Sequence, residues 1–142
     1  MGVVHITLNG MPYVVPDTYT ILEAAREVGI KIPTLCFLKD LNETGACRVC
    51  VVEVKGARSL VTACNMKVSE GMEILTHSKR ILNARKTTVE LLLANHNIEC
   101  TTCNRNHNCE LKQLSNDLNC KSDRFEGERR ETIYRDDSYS IV

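Results

Sequence analysis

The grouping of the cysteines constrains this chain more than any other feature of its sequence. Seven of the eight fall into two groups between positions 36 and 109, and Cys120 follows further along the chain. The first group reads C-x10-C-x2-C-x13-C, and its members are Cys36, Cys47, Cys50 and Cys64. In the second, a histidine precedes the cysteines in the pattern H-x3-C-x2-C-x5-C, and its members are His96, Cys100, Cys103 and Cys109. Thiolates select iron–sulfur clusters, zinc or Cu(I), so the two groups predict two metal centres.

Composition narrows the class of protein. A chain of 142 residues with 4% aromatic content allows one or two small domains, whose modest core a metal can stabilise. Acidic and basic residues balance at 18 each, so no net field favours nucleic acid or an anionic membrane. The first residues do not resemble a signal peptide, and no apolar run is long enough to cross a bilayer. We therefore expect a cytoplasmic protein without nucleic-acid partner or membrane insertion, whose clustered cysteines bind metal rather than form disulfides.

Short β-rich stretches dominate the first half of the chain. They predict strands at residues 3–8, 13–15, 51–54, 60–63 and 72–75. Asn9-Gly10 predicts a hairpin turn, and the spacing of Thr20 and Glu23 predicts a capping box that begins a helix. Residues 31–50 show no periodicity and carry three of the cysteines. This order predicts a small mixed sheet packed on one helix, with a long cluster-binding loop after it.

The pattern becomes helical after residue 78. Apolar residues at helical spacing predict helices at 79–95 and 110–118, on either side of a polar, loop-like stretch. The remainder, 121–142, is highly charged without a helical stripe, and it predicts an extended segment or a linker.

In the first group, Cys47 and Cys50 form a short pair that can direct both sulfurs toward one site. Gly45 and Ala46 just before them allow a tight loop whose backbone N–H groups point at inorganic sulfide. Zinc sites usually combine two such short pairs, whereas this group has one, so the pattern favours a [2Fe–2S] cluster over zinc or free thiols. We expect the intervening Arg48 to be exposed or paired, and not a ligand.

In the second group, His96 and Cys100 are four residues apart and share one helical face. One imidazole and three thiolates can hold a [4Fe–4S] cluster, and the neutral imidazole would raise its reduction potential. A zinc ion is the alternative occupant. Cys120 could replace the histidine as fourth ligand, although we interpret it as a small buried apolar side chain. The other histidines are interpreted as surface residues: His5, His77 and His107.

Taken together, the two motifs resemble the N-terminal accessory region of [FeFe]-hydrogenase catalytic subunits. The same two modules occur in the large iron–sulfur subunit of NADH dehydrogenase and in some NAD-dependent formate dehydrogenases. The resemblance covers nearly the whole chain, and four stretches carry it in addition to the ligand motifs: residues 45–54, 56–60, 103–111 and 124–129.

The resemblance implies an α+β fold in three parts. Residues 1–77 would form a β-grasp, plant-type [2Fe–2S] ferredoxin-like domain, and 78–120 a helical [4Fe–4S] module with one histidine and three cysteine ligands. Residues 121–142 would be a charged linker toward a missing or separate downstream domain.

The function implied is an electron relay with one cluster of each type. A ferredoxin or flavin-containing subunit would be the partner on one side, and downstream iron–sulfur or hydrogenase domains on the other. A zinc-stabilised protein-interaction module is a second hypothesis. An enzyme acting on a small molecule ranks third, because the sequence has no nucleophile arrangement, phosphate loop or dinucleotide fingerprint.

Overall fold

The computed structural model describes residues 2–128, which form a mixed five-stranded sheet and three α-helices. The strands are β1 (Val3–Leu8), β2 (Met11–Pro16), β3 (Val51–Val54), β4 (Val61–Thr62) and β5 (Met72–Leu75). Their order across the sheet is β2-β1-β5-β3-β4. β1 pairs antiparallel with β2 but parallel with β5, and β3 pairs antiparallel with both β4 and β5. The predicted α+β class with a ferredoxin-like sheet is confirmed.

The hairpin between β1 and β2 follows from its turn residues. Asn9 and Gly10 both have positive φ, at 51° and 85°, and Leu8 pairs with Met11 across them. This is the turn that Asn-Gly favours, because both central residues must enter the left-handed region. The period-2 pattern then turns Ile6 and Leu8 into the core, where both are fully buried.

Helix α1 (Ile21–Glu27) begins with the predicted capping box. The Thr20 hydroxyl accepts from the Glu23 N–H at 3.2 Å, and the Glu23 carboxylate accepts from the Thr20 N–H at 2.9 Å. That bond to the Thr20 N–H is the main reason that the pKa of Glu23 lies below its ordinary value. The helix buries Ile21 and Leu22 against the sheet and so closes the larger of two cores.

Helices α2 (Lys79–Ala94) and α3 (Glu110–Asp117) build the smaller core, with a 3-10 turn at Asn106–Asn108 before α3. Val89 and Leu93 from α2 meet Leu114 from α3, and Val49 of the long loop packs between them. The helical part therefore rests directly on the loop that carries the first group of cysteines.

Differences from the predicted bounds are small. The second strand extends to Met11–Pro16, and the predicted strand at 60–63 shortens to Val61–Thr62. None of the helices within residues 2–128 is long and apolar enough to cross a membrane. Most of the predicted linker, 129–142, lies outside the described residues.

Candidate metal centres

The loop that precedes β3 carries Cys36, Cys47 and Cys50. Its first turn is held by a bridge between Leu38 and Asn42, and the Asn42 side-chain amide donates to the Cys36 carbonyl at 2.9 Å. These bonds replace the helix or strand contacts that this stretch lacks, so Cys36 is fixed by its own loop.

Four thiols meet at this loop. Burial, the neighbouring Cys50 thiol and the charges of Cys36 and Cys47 together raise the pKa of Cys64 to about 12. Cys36 and Cys47 likewise interact through their side chains. Cys50 and Cys64 are buried, whereas Cys36 and Cys47 are only partly covered. The structure therefore brings together the whole first group predicted from the sequence, as two interacting pairs.

Backbone N–H groups surround the more exposed pair. Burial alone would raise the pKa of the Cys36 thiol, yet the backbone N–H and side chain of Cys47, with the N–H groups of Ala46 and Cys36 itself, lower it below its ordinary value. For Cys47, burial and the adjacent Cys36 thiol raise the pKa, although the N–H of Val49 opposes them. Such donors stabilise negative charge on sulfur, which is what a ligating thiolate requires.

Two left-handed residues shape this tight loop. Gly45 has φ +68°, and a Cβ there would approach the side chains of Thr62 and Asn65 to 3.0 Å. Arg48, between the two close cysteines, has φ +57° and an exposed side chain that donates to the Leu60 carbonyl at 3.3 Å. The expectation that Arg48 is exposed or paired is confirmed on both counts.

The pairing of thiols bears on which metal fits. Across the part of the chain that the structure describes, no three His, Cys, Asp or Glu side chains converge so as to hold one metal ion. In a [2Fe–2S] cluster each of the two irons takes two protein ligands, so two thiol pairs suit it better than a single zinc ion. The donor set at this loop fits that cluster.

The second group lies between α2 and α3. His96 follows the end of α2, where its N–H donates to the Leu93 carbonyl at 3.1 Å, and its side chain is exposed. Cys109 caps α3, with its sulfur accepting from the Lys112 N–H at 3.4 Å. Cys100 and Cys103 lie in the intervening turns. Among the described residues, these four donors do not converge on a single metal ion. A [4Fe–4S] cluster does not require this, because each of its four irons takes one protein ligand.

The remaining cysteine and histidines lie outside both groups. Cys120 is half-buried against the smaller core, and its sulfur lies 3.8 Å from the Lys86 carbonyl oxygen. Burial is the main cause of its raised pKa. The other histidines are exposed, as predicted: His5, His77 and His107.

Helix α2 carries two buried charges that were not predicted from the sequence. Arg85 is 3% exposed and Glu90 is 1% exposed. The available signal was helical spacing, because Arg85 lies midway between the buried Ile81 and Val89 on one stripe. A charged residue on an apolar stripe indicates a specific partner, since an unpaired buried charge is costly.

Comparison with known proteins adds two family matches. Residues 2–79 match the model described as "2Fe-2S iron-sulfur cluster binding domain". Residues 85–124 match the "NADH-ubiquinone oxidoreductase-G iron-sulfur binding region". Together the matches cover both groups of cysteines and the histidine.

Relatives belong to redox enzymes. The chain is 39% identical over its whole length to the NADP-reducing hydrogenase subunit HndD of Solidesulfovibrio fructosivorans, of which it covers 25%. It is 35% identical, over 78% of its length, to an NADH-quinone oxidoreductase subunit of Rhizobium meliloti, of which it covers 13%. The chain thus spans a quarter or less of these curated relatives. The resemblance to hydrogenase and NADH dehydrogenase subunits is confirmed.

A solved structure shows the same arrangement. The structure of an NAD+-reducing [NiFe]-hydrogenase in the H2-reduced state matches with a TM-score of 0.82 and 27% identity. The match covers 90% of this chain and 54% of that one. The sheet and the helical part therefore recur together, in one arrangement, in a redox enzyme.

Proposed function

Because the chain belongs to the family of 2Fe-2S iron–sulfur cluster binding domains, we propose that it is an electron relay that holds one [2Fe–2S] and one [4Fe–4S] cluster. The proposed ligands of the first are Cys36, Cys47, Cys50 and Cys64. The proposed ligands of the second are His96, Cys100, Cys103 and Cys109. Both clusters, when bound, supply one-electron chemistry.

The observation that carries this proposal is the meeting of four thiols as two interacting pairs, beside backbone N–H groups that favour the thiolate of Cys36. The protein's own contribution is ligation, stabilisation of charge on sulfur and exclusion of water. Cys50 and Cys64, at 2% and 0% exposure, lie on the side of the site that faces the protein interior. Cys36 and Cys47 lie on the side nearer to solvent. A relay needs this asymmetry, because one edge must approach a partner while the rest stays covered.

We further propose that electrons pass between a ferredoxin or flavin-containing subunit and downstream clusters of an [FeFe]-hydrogenase, in the cytoplasm. The full-length match to a hydrogenase subunit supports this assignment. An equivalent relay in an NADH or formate dehydrogenase is the second candidate, and the match to the NADH-quinone oxidoreductase subunit of Rhizobium meliloti favours it.

Metal analysis tests the relay. After anaerobic reconstitution we expect about six irons and about six acid-labile sulfides per chain, the sum of the two cluster types. Reduction should give two distinct EPR signals. Stoichiometric zinc without sulfide would refute the proposal and support a zinc-stabilised interaction module instead.

Single substitutions test the ligand sets separately. Cys64→Ser should change only the [2Fe–2S] signal, and His96→Ala only the [4Fe–4S] signal. His107→Ala is the matched control, because this exposed histidine lies in the same ligand loop and is not a proposed ligand. If His96→Ala behaves like the His107 control, then His96 is not a ligand.

A further inference from the structure

Arg85 is a buried cation on the face of α2 that meets the sheet. One guanidinium nitrogen, Nη2, donates to the Val51 carbonyl at 2.9 Å and to the Thr76 carbonyl at 3.2 Å. Its Nε is buried without a hydrogen-bond partner. A side chain that is 3% exposed and incompletely bonded is costly, so its charge calls for a compensating group nearby.

No carboxylate supplies that compensation within residues 2–128. The ion pairs there join His5 to Glu70, Lys39 to Glu23, Lys55 to Glu73, Arg80 to Glu53 and Arg124 to Glu90. Arg85 is in none of them. Its neutral carbonyl partners provide only dipoles, so within the described residues a full negative charge has to come from another kind of group.

The first metal centre offers anionic chemistry close to Arg85. Val51, whose carbonyl binds the guanidinium, directly follows Cys50. Burial lowers the pKa of Arg85 to about 10, and the charge of the Cys50 thiolate acts in the opposite direction. Arg85 is therefore a cation at neutral pH and lies within electrostatic reach of this sulfur.

We propose that Arg85 tunes electron transfer through its charge. Its fixed positive charge raises the reduction potential of the [2Fe–2S] cluster held beside it. The inference rests on the proposed function. Reduction adds one negative charge to a site that is already anionic, and a buried cation favours the more negative state. Low dielectric strengthens this effect relative to that of a surface charge.

Arg85 links the helical part of the chain to the sheet part. It belongs to the helical part of the chain, yet it acts on the cluster of the sheet part. Its two hydrogen bonds join α2 to β3 and to the residue after β5. The helical part would thus set the potential of the first cluster in addition to holding the second.

The experiment is an EPR-monitored redox titration of the full chain with both clusters bound. Arg85→Gln and Arg85→Met remove the charge, while Arg85→Lys keeps it. Arg80→Gln is the matched control, because Arg80 lies on the same helix, is exposed and pairs with Glu53 at 3.3 Å. Iron and sulfide are counted in every sample first, so absence of the cluster from the wild type would defeat the proposed function and not this inference.

For the neutral Arg85 variants we expect the ratio of reduced to oxidised [2Fe–2S] cluster, at a fixed applied potential, to fall at least tenfold. This is equivalent to a midpoint about 59 mV lower for a one-electron couple. Arg85→Lys and Arg80→Gln should stay within about threefold of the wild type, or roughly half that shift. If the neutral variants cannot hold the cluster and Arg85→Lys can, the requirement for charge is also supported.

Three results would overturn the inference. The potential could be unchanged in Arg85→Gln and Arg85→Met. Arg85→Lys could shift as far as the neutral variants, which would make hydrogen bonding and not charge the cause. Or all three variants could fail to hold the cluster, which would make Arg85 a structural tie between α2 and the sheet only.

Discussion

The ion pair between Glu90 and Arg124 should stabilise the end of the helical part. Glu90 lies on α2 with a fully buried side chain, and Arg124 Nη1 donates to its Oε2 at 2.6 Å. The other carboxylate oxygen accepts from the Lys121 N–H at 3.0 Å. The segment after α3 is therefore fastened to α2 at this one carboxylate.

The magnitude follows from the exposure of the two partners. A hydrogen bond to a charged group contributes about 1.5–3 kcal/mol to the free energy of unfolding. Arg124 is 48% exposed, so solvent screens part of the attraction. We therefore expect a coupling energy of about 1–2 kcal/mol, which corresponds to roughly 3–6 °C in melting temperature for a chain of this size.

A double-mutant cycle measures this coupling. Glu90→Gln keeps an acceptor for the Lys121 N–H but loses the charge, and Arg124→Met keeps the stem but loses the donor. The coupling is the amount by which the double variant is less destabilised than the sum of the single variants, measured by anaerobic thermal unfolding with both clusters bound. The exposed pair Arg80–Glu53 is the control and should couple by less than about 0.5 kcal/mol. A Glu90–Arg124 coupling no larger than that of the control would refute the reasoning.

The pH dependence has a definite sign. Burial would raise the pKa of Glu90, but the Lys121 N–H and the charges of Arg124 and Lys86 lower it below its ordinary value of 4.5. A carboxyl with a depressed folded-state pKa contributes stability that is fully present above its unfolded-state pKa. That contribution is lost as the pH falls through the folded-state pKa. The coupling should therefore be constant from about pH 8 down to about pH 5.5, and a decline within that range would show that Glu90 has no depressed pKa.

Two further predictions concern the cysteine loop and the unassigned cysteine. Gly45→Ala should destabilise the protein by about 2–3 kcal/mol and reduce [2Fe–2S] content, because a left-handed alanine is strained and its Cβ approaches Thr62 and Asn65 to 3.0 Å. The control Gly56→Ala, with φ +87° and nothing within 4 Å, should lose only about 1 kcal/mol and keep its iron, and equal iron loss in both would contradict a steric role for Gly45. Cys120→Ala should leave the iron count and both EPR signals unchanged, and loss of the [4Fe–4S] signal would make Cys120 a ligand.

The sequence predicted those elements whose cause is local. The Asn9-Gly10 turn and the Thr20–Glu23 capping box depend on residues within a few positions of each other, and both were found where expected. The approach of Cys64 to the three earlier cysteines was expected from their spacing, and their role as metal ligands stays a prediction.

The parts that were missed depend on packing between distant elements. Helical spacing places Arg85 on the apolar stripe of α2, but a charged residue breaks an apolar pattern and is read as solvent-facing, so its burial was not predicted. Glu90 was missed for the same reason, because its partners, Lys121 and Arg124, follow only after α3. Spacing also does not predict which thiols form pairs, because a C-x2-C motif does not indicate which other cysteine each sulfur contacts.

The predicted boundary near residue 77 separates the two proposed ligand sets, but it does not separate the packing of the two parts. Val49 belongs to the loop of the first centre, yet its buried side chain packs with Val89, Leu93 and Leu114 of the helical part. From the opposite direction, Arg85 reaches the backbone of the sheet. Each part thus covers surface that the other would leave exposed, and the helical part contacts the residues on either side of Cys50. Because the potential of an iron–sulfur centre depends on burial and nearby charge, both parts together would set the environment of the proposed first cluster.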